Sequence, residues 1–151
     1  MAIPEQSLTP HEFLVQLRAG SVAIDVRSPG EFEAGHLSGA VSLPLFGNDE
    51  RAELGTLYKH EGKRAALERG LELVGPKMKS LVAQARALFE SQASRKPLLV
   101  HCWRGGMRSE SVDWLLRTAE IPSSLCVGGY KACRQVMRLD AAKPRNYIVL
   151  G

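Results

Sequence analysis

The sequence predicts an α/β fold in which a parallel β-sheet carries helices on both faces. Two observations lead to it. Short apolar segments alternate with stretches of helical composition, the order that produces parallel strands joined by crossover helices. The most apolar of these segments, Leu98-Leu99-Val100, runs into His101-Cys102 and a glycine-containing loop before the next helix. In folds of this class reactive groups sit at the carboxyl ends of strands, where Cys102 falls.

The elements follow in order. Thr9-Pro10-His11-Glu12 reads as a capping box with proline at the first helical position, and Gly20 closes that helix. Residues 22–26 form a short buried strand, and Ser28-Pro29-Gly30-Glu31-Phe32 begins another turn or helix. Residues 41–43 form a short strand before Pro44. From 48 to about 94 the composition is helical, with breaks at Gly62, Gly70 and Gly75-Pro76. Within that stretch Leu81, Val82, Ala85, Leu88 and Phe89 recur at helical spacing. Residues 97–100 are the strand feeding the cysteine loop, and 108–118 the helix leaving it. Residues 124–127 form a further strand, ended by Gly128-Gly129, with a helix from Tyr130 onward. Tyr147-Ile148-Val149-Leu150-Gly151 reads as a last apolar strand.

The 151 residues suit one domain, 1–151, with a helical insertion around 48–94. Apolar residues make up 44% and charged residues 24%, which places the chain among ordinary globular proteins. No apolar run reaches the length of a membrane span, and Met1-Ala2-Ile3-Pro4-Glu5 lacks a signal-peptide pattern, so no membrane partner is expected. Three cysteines without C-x-x-C spacing argue against a disulfide framework or a zinc site. The expectation is a cytoplasmic protein with no metal. The net charge of +4 is compatible with a nucleic-acid partner. Lys59, Lys63, Arg64, Lys77, Lys79 and Arg86 fit a solvated helix face equally well.

The chemistry centres on His101-Cys102-Trp103-Arg104-Gly105-Gly106-Met107-Arg108-Ser109. A cysteine at a strand end, a tight loop and a helix start together place backbone N–H groups and a helix dipole around one sulfur. That suits an activated sulfur nucleophile. Gly105 and Gly106 let the chain turn tightly, and Arg104 and Arg108 supply positive charge for an anionic substrate. The spacing leaves two chemistries open. His-Cys, five residues, then Arg matches cysteine phosphatases, whereas rhodanese-type sulfurtransferases use the same loop, with one residue fewer as a rule, to carry a persulfide.

The rest of the chain bears on that choice. Asp25-Val26-Arg27-Ser28-Pro29-Gly30-Glu31-Phe32, then Gly35-His36-Leu37-Ser38-Gly39-Ala40 and Pro44, resemble the N-terminal signature of rhodanese-like domains. The Cys102 loop and Gly128-Gly129-Tyr130 complete that pattern. More specifically, Asn48-Asp49-Glu50-Arg51-Ala52-Glu53, Gly55-Thr56-Leu57-Tyr58-Lys59, Gly70-Leu71-Glu72-Leu73-Val74 and the Cys102–Ser109 run resemble bacterial tRNA 2-selenouridine synthases. In that family an N-terminal rhodanese domain is joined to a P-loop domain, and the rhodanese loop has this longer arginine spacing.

The resemblance implies that the reaction replaces the 2-thio sulfur of a wobble uridine in tRNA with selenium from selenophosphate. It also implies geranylation of that sulfur by geranyl diphosphate, the S-geranyl nucleoside being the intermediate. No tightly bound cofactor is implied. Cys102 would be the nucleophile carrying a persulfide or selenopersulfide. The loop residues Trp103, Arg104, Gly105, Gly106, Met107, Arg108 and Ser109 would meet substrate, with Arg104 and Arg108 on selenophosphate or a tRNA phosphate. The partners would be the tRNA anticodon loop and a P-loop domain, in cis or as a separate subunit. No G-x-x-x-x-G-K-[ST] occurs here, and the terminal apolar strand with its glycine is what a strand entering a P-loop looks like.

Asp25 and Arg27 are expected to form a supporting salt bridge, and His36 a hydrogen-bonding turn anchor. The strand alternation should point His101 away from the pocket. Trp103 is open to stacking on a base or prenyl group, or to packing on the helical insertion. Cys126 reads as core, and Cys133 as the candidate relay thiol. Three alternatives remain: a stand-alone thiosulfate sulfurtransferase, a dual-specificity-type phosphatase, and a non-catalytic docking module for a P-loop partner.

Overall fold

The computed structural model describes residues 7–143. The terminal strand expected at 147–151 lies outside them. Thr9 caps α1 (Pro10–Arg18): its hydroxyl accepts from the Glu12 N–H at 3.2 Å, and the Glu12 carboxylate accepts from the Thr9 N–H at 2.8 Å. Next come β2 (Ala23–Asp25), α2 (Pro29–Ala34) and β3 (Val41–Ser42). A short strand at the other edge, β1 (Ser7–Leu8), precedes them all. Two residues carry no readable periodicity, and only pairing with Leu125 and Cys126 makes β1 a strand.

The helical stretch resolves into α3 (Asn48–Glu61), α4 (Lys63–Val74), a 3₁₀ turn at Gly75–Lys77 and α5 (Met78–Ser91). Gly62 and Gly75 end helices as expected. Gly70 corrects the expectation of a third break. It lies inside α4, and its open side faces the Phe46 ring, 3.6 Å from where a Cβ would stand. A single glycine weakens a helix by only about 1 kcal/mol, which packing readily overrides. Then follow β4 (Leu98–His101), α6 (Met107–Thr118), β5 (Ser123–Cys126) and α7 (Gly129–Ala141).

All pairings are parallel, in the order β1-β5-β4-β2-β3. Alternation along the strands sorts the core into two halves. Ile24, Val26, Leu98, Val100 and Leu125 point to one face, where they meet Leu81 and Ala85 of α5 and Val112 and Leu116 of α6. Ala23, Leu99 and Cys126 point to the other, against Phe13 and Leu14 of α1 and Tyr130 and Cys133 of α7. Cys102 continues the first set and His101 the second. One residue of register therefore separates a sulfur on the α6 side from an imidazole on the α1/α7 side.

His101 is fully buried, with its ring edge-on to Phe13 and stacked near Tyr130. Burial pushes its pKa below the ordinary 6.5, and the Asp25 carboxylate 3.9 Å away only partly offsets this. Below pH 6.5 the unfolded chain therefore binds a proton that the folded chain refuses, and stability must fall as pH drops. The loss should set in as the pH passes below about 6.5, within the range from about 7 to about 5. Urea midpoints measured across that range should show it, and His101→Gln should flatten it.

The strand ends β4 and β5 meet through backbone alone. Gly129, at φ +62°, would place a Cβ 2.6 Å from the Cys102 carbonyl oxygen and 2.7 Å from the Gly105 nitrogen. Gly105, at φ +72°, would place one 2.8 Å from the Cys126 carbonyl oxygen. Gly39 has a similar φ of +82° but open space around it. Gly39→Ala should therefore cost only the left-handed penalty, about 1–2 kcal/mol. Gly129→Ala adds backbone collision and should cost at least ~3 kcal/mol by urea denaturation.

Candidate active site

Cys102 directly follows β4 at 3% exposure, and its Sγ lies 3.1 Å from the Ser109 hydroxyl and 3.9 Å from the Gly106 carbonyl oxygen. Ser109 is fully buried in the first turn of α6, with its Oγ also 3.1 Å from the Gly106 carbonyl. The hydroxyl can serve either state of the sulfur. With a thiol, Cys102 donates to Ser109 while Ser109 donates to Gly106. With a thiolate, the Ser109 proton turns to the sulfur. The N-cap of α6 is Gly106, which brings no side-chain acceptor to the first-turn N–H groups. They remain available to negative charge.

The loop is held from behind. The Tyr130 N–H donates to the Cys102 carbonyl at 2.9 Å, and the Lys131 N–H to that of Trp103 at 3.0 Å. These donors belong to the start of α7, so helix and cysteine loop share their orphan groups. Beneath lies the buried pair of Asp25 and Arg27. Arg27 Nε donates to Asp25 Oδ1 at 3.0 Å, and Nη2 donates to Asp25 Oδ2 and to the Gly35 carbonyl, both at 2.7 Å. The guanidinium carbon sits 4.2 Å from the Tyr130 ring centroid and 5.8 Å from that of Trp103. One buried cation thus ties β2, the turn after α2 and the cysteine loop together.

The two loop arginines differ. Arg104 is exposed and makes no ion pair among the described residues. Arg108 binds Glu31 with both terminal nitrogens, Nη1–Oε2 at 2.7 Å and Nη2–Oε1 at 3.3 Å. Glu31 Oε2 also accepts from the Ser28 backbone N–H and hydroxyl, each at 3.0 Å, and forms an ion pair with Arg51, whose Nε lies 3.0 Å away. Burial opposes ionisation of Glu31, but the Arg108 and Ser28 hydrogen bonds prevail and hold its carboxyl at about 2.

Met107 and Arg108 also border an apolar cleft of about 410 Å³ between α6 and the α3–α4 pair. Leu45, Phe46, Leu54, Tyr58, Leu67 and Leu71 line it, and Arg51 and Lys63 add cations. The Glu31 ion pairs and this cleft are not read from the sequence. Only the capping-box position of Glu31, three residues after Ser28, hinted that it was more than surface charge.

Other expectations meet the structure as follows. Trp103 packs on Tyr130, with ring centroids 5.6 Å apart, and not on the helical insertion, because its strand-end direction carries it to the α7 side. His36 holds the Phe32 carbonyl through Nδ1 at 2.9 Å and stacks on the Phe32 ring. Cys133 corrects the relay expectation. It lies on the inner face of α7, fully buried, with its Sγ 3.4 Å from that of Cys126. Cys102 belongs to the core half on the opposite side of the sheet.

Comparison with known proteins agrees with this geometry. The rhodanese-like domain model matches residues 9–135. The tRNA 2-selenouridine synthase of Nitrosomonas europaea is 42% identical over 119 residues, which is 79% of this chain and 30% of that protein. That of Bdellovibrio bacteriovorus is 42% identical over 115 residues, or 76% and 30%. The chain thus spans about 30% of the length of these relatives. A solved N-terminal domain from Clostridium difficile 630 superposes with a TM-score of 0.76 at 32% identity, over 87% of this chain and 98% of that one. With its cysteine in the strand-end loop and the family pattern running through nearly every described element, the chain belongs to the rhodanese-like domain family.

Proposed function

We propose that the chain is the chalcogen-carrying domain of a tRNA wobble-uridine modification, converting 2-thiouridine to 2-selenouridine with Cys102 as carrier. The observation that carries this reading is the Cys102 sulfur 3.1 Å from the Ser109 hydroxyl at an uncapped helix start. Its likeness to tRNA 2-selenouridine synthases supports the choice of substrate. With a thiosulfate-type donor the chemistry is simple. The Cys102 sulfur attacks the terminal sulfane atom, the donor S–S bond breaks with its electron pair leaving on sulfite, and a persulfide stays on Cys102. Selenide, freed from selenophosphate when water takes the phosphoryl group as phosphate, then attacks the inner sulfur of that persulfide; the S–S bond breaks, hydrosulfide leaves with its electron pair, and a selenopersulfide stays on Cys102. Arg104 is the loop cation open to that anion or to a tRNA phosphate. A reducing cytoplasm keeps the thiol available.

The apolar cleft supports the second co-substrate, geranyl diphosphate. Leu54, Leu67 and Leu71 would take the prenyl chain, with Arg51 and Lys63 beside the diphosphate. The anticodon loop would enter past Arg104, and a P-loop domain, in cis or as a separate subunit, would complete the reaction.

The test supplies this chain and the P-loop part of a relative with thiolated tRNA, selenophosphate and geranyl diphosphate, and analyses the nucleosides. Cys102→Ser should abolish 2-selenouridine, while Cys133→Ser should leave it largely intact. Leu54→Arg should lower the S-geranyl nucleoside by at least about tenfold, since an unpaired charge in an apolar pocket costs several kcal/mol. A wild-type yield of 2-selenouridine from Cys102→Ser would overturn the reading.

A further inference from the structure

The Cys102 loop has the ingredients of an oxyanion cradle: a helix start without a side-chain cap, a buried hydroxyl, and an arginine one residue into the helix. A tetrahedral oxyanion bound there would need the Arg108 guanidinium, since planar two-pronged donation to paired oxygens is what that group does best. In this chain the two prongs already hold a carboxylate. Glu31 faces Arg108 end to end through two hydrogen bonds of 2.7 and 3.3 Å. The same carboxylate is anchored by Ser28 and by Arg51, so it is fixed from three sides. Arg108 is only 24% exposed and Glu31 18%, which shields the pair from solvent screening.

We propose that Glu31 is a specificity-determining residue: as a built-in anion it occupies Arg108 and weakens the seating of tetrahedral oxyanions on that guanidinium, so that an anionic chalcogen donor is met at Arg104 instead. The sulfur site then keeps its helix start and its Ser109 hydroxyl for negative charge carried on Cys102 itself. Arg104, which pairs with no carboxylate among the described residues, is left as the loop cation for an incoming anion. The inference rests on the reading of Cys102 as a chalcogen carrier only for its purpose. The competition between Glu31 and an external oxyanion holds whatever Cys102 carries.

Tungstate is the probe, because it is tetrahedral, dianionic and needs no sulfur chemistry to bind. Calorimetric titration of the intact chain should show weak binding, and Glu31→Gln should tighten it about tenfold, the scale of one charge-assisted interaction. Glutamine keeps an oxygen for the Ser28 N–H, so α2 retains its cap. Glu31→Asp, which withdraws the carboxylate by one methylene, should give a smaller gain and covers the case in which Glu31→Gln fails to fold. Adding Arg108→Gln to either variant should cancel the gain. A purely structural Glu31 would yield loss, not gain. Unchanged or weaker tungstate binding in folded Glu31→Gln and Glu31→Asp overturns the inference, as does a gain that survives Arg108→Gln. Sulfur loading of Cys102, assayed separately in the wild-type chain, reports on the carrier reading, so the two can fail independently.

Discussion

The site depends on a place where two stretches of backbone touch with no side chain between them. The turn at Gly128 and Gly129 presses against the carbonyl of Cys102 and the nitrogen of Gly105, at distances a Cβ cannot share. Close packing makes possible the hydrogen bonds from the first turn of α7 to the loop carbonyls. The loop is thus shaped by a neighbouring strand end and helix start, and its rigidity comes from the fold beneath it. The chain has little latitude here because both glycines stand at left-handed φ.

Around that contact the charges are arranged in layers. Asp25 and Arg27 form a buried pair under the loop, with the guanidinium facing Tyr130 and Trp103. Glu31 and Arg108 form a second pair at its edge, and Arg51 links that pair to α3. A buried pair of the first kind stabilises little in net terms, but losing one partner strands a charge. Its effect is to hold β2, the turn at Gly35 and the α7 start in one relation. The result is a sulfur whose hydrogen-bond surroundings are set before any substrate arrives, which is the condition for transfer without reorganisation.

Much of this was legible. The period-two alternation of Leu98, Leu99 and Val100 with Cys102 placed the sulfur and His101 on opposite faces, and the structure puts them there. The capping box at Thr9 and the turn or helix start at Ser28 were local signals, and local signals survive folding. What escaped was long-range. Arg108 pairs with a residue 77 positions away, and no spacing rule reaches that far. The cleft exists only because α4 and α3 lie side by side, with Gly70 buried inside a helix where composition suggested a break. Cys133, the candidate relay thiol, shares the inner face of α7 with Tyr130 three residues before it and is fully buried there, a burial that only the packing of α7 on the sheet reveals.

The central claim is that Cys102 carries the transferred atom. Incubating the chain with thiosulfate, trapping persulfides with an alkylating reagent and mapping the peptides by mass spectrometry tests it directly. The account predicts one added sulfur, located on the peptide containing Cys102, released by reductant and absent from Cys102→Ser. An added sulfur that maps to Cys126 or Cys133, or that persists in Cys102→Ser, would contradict it.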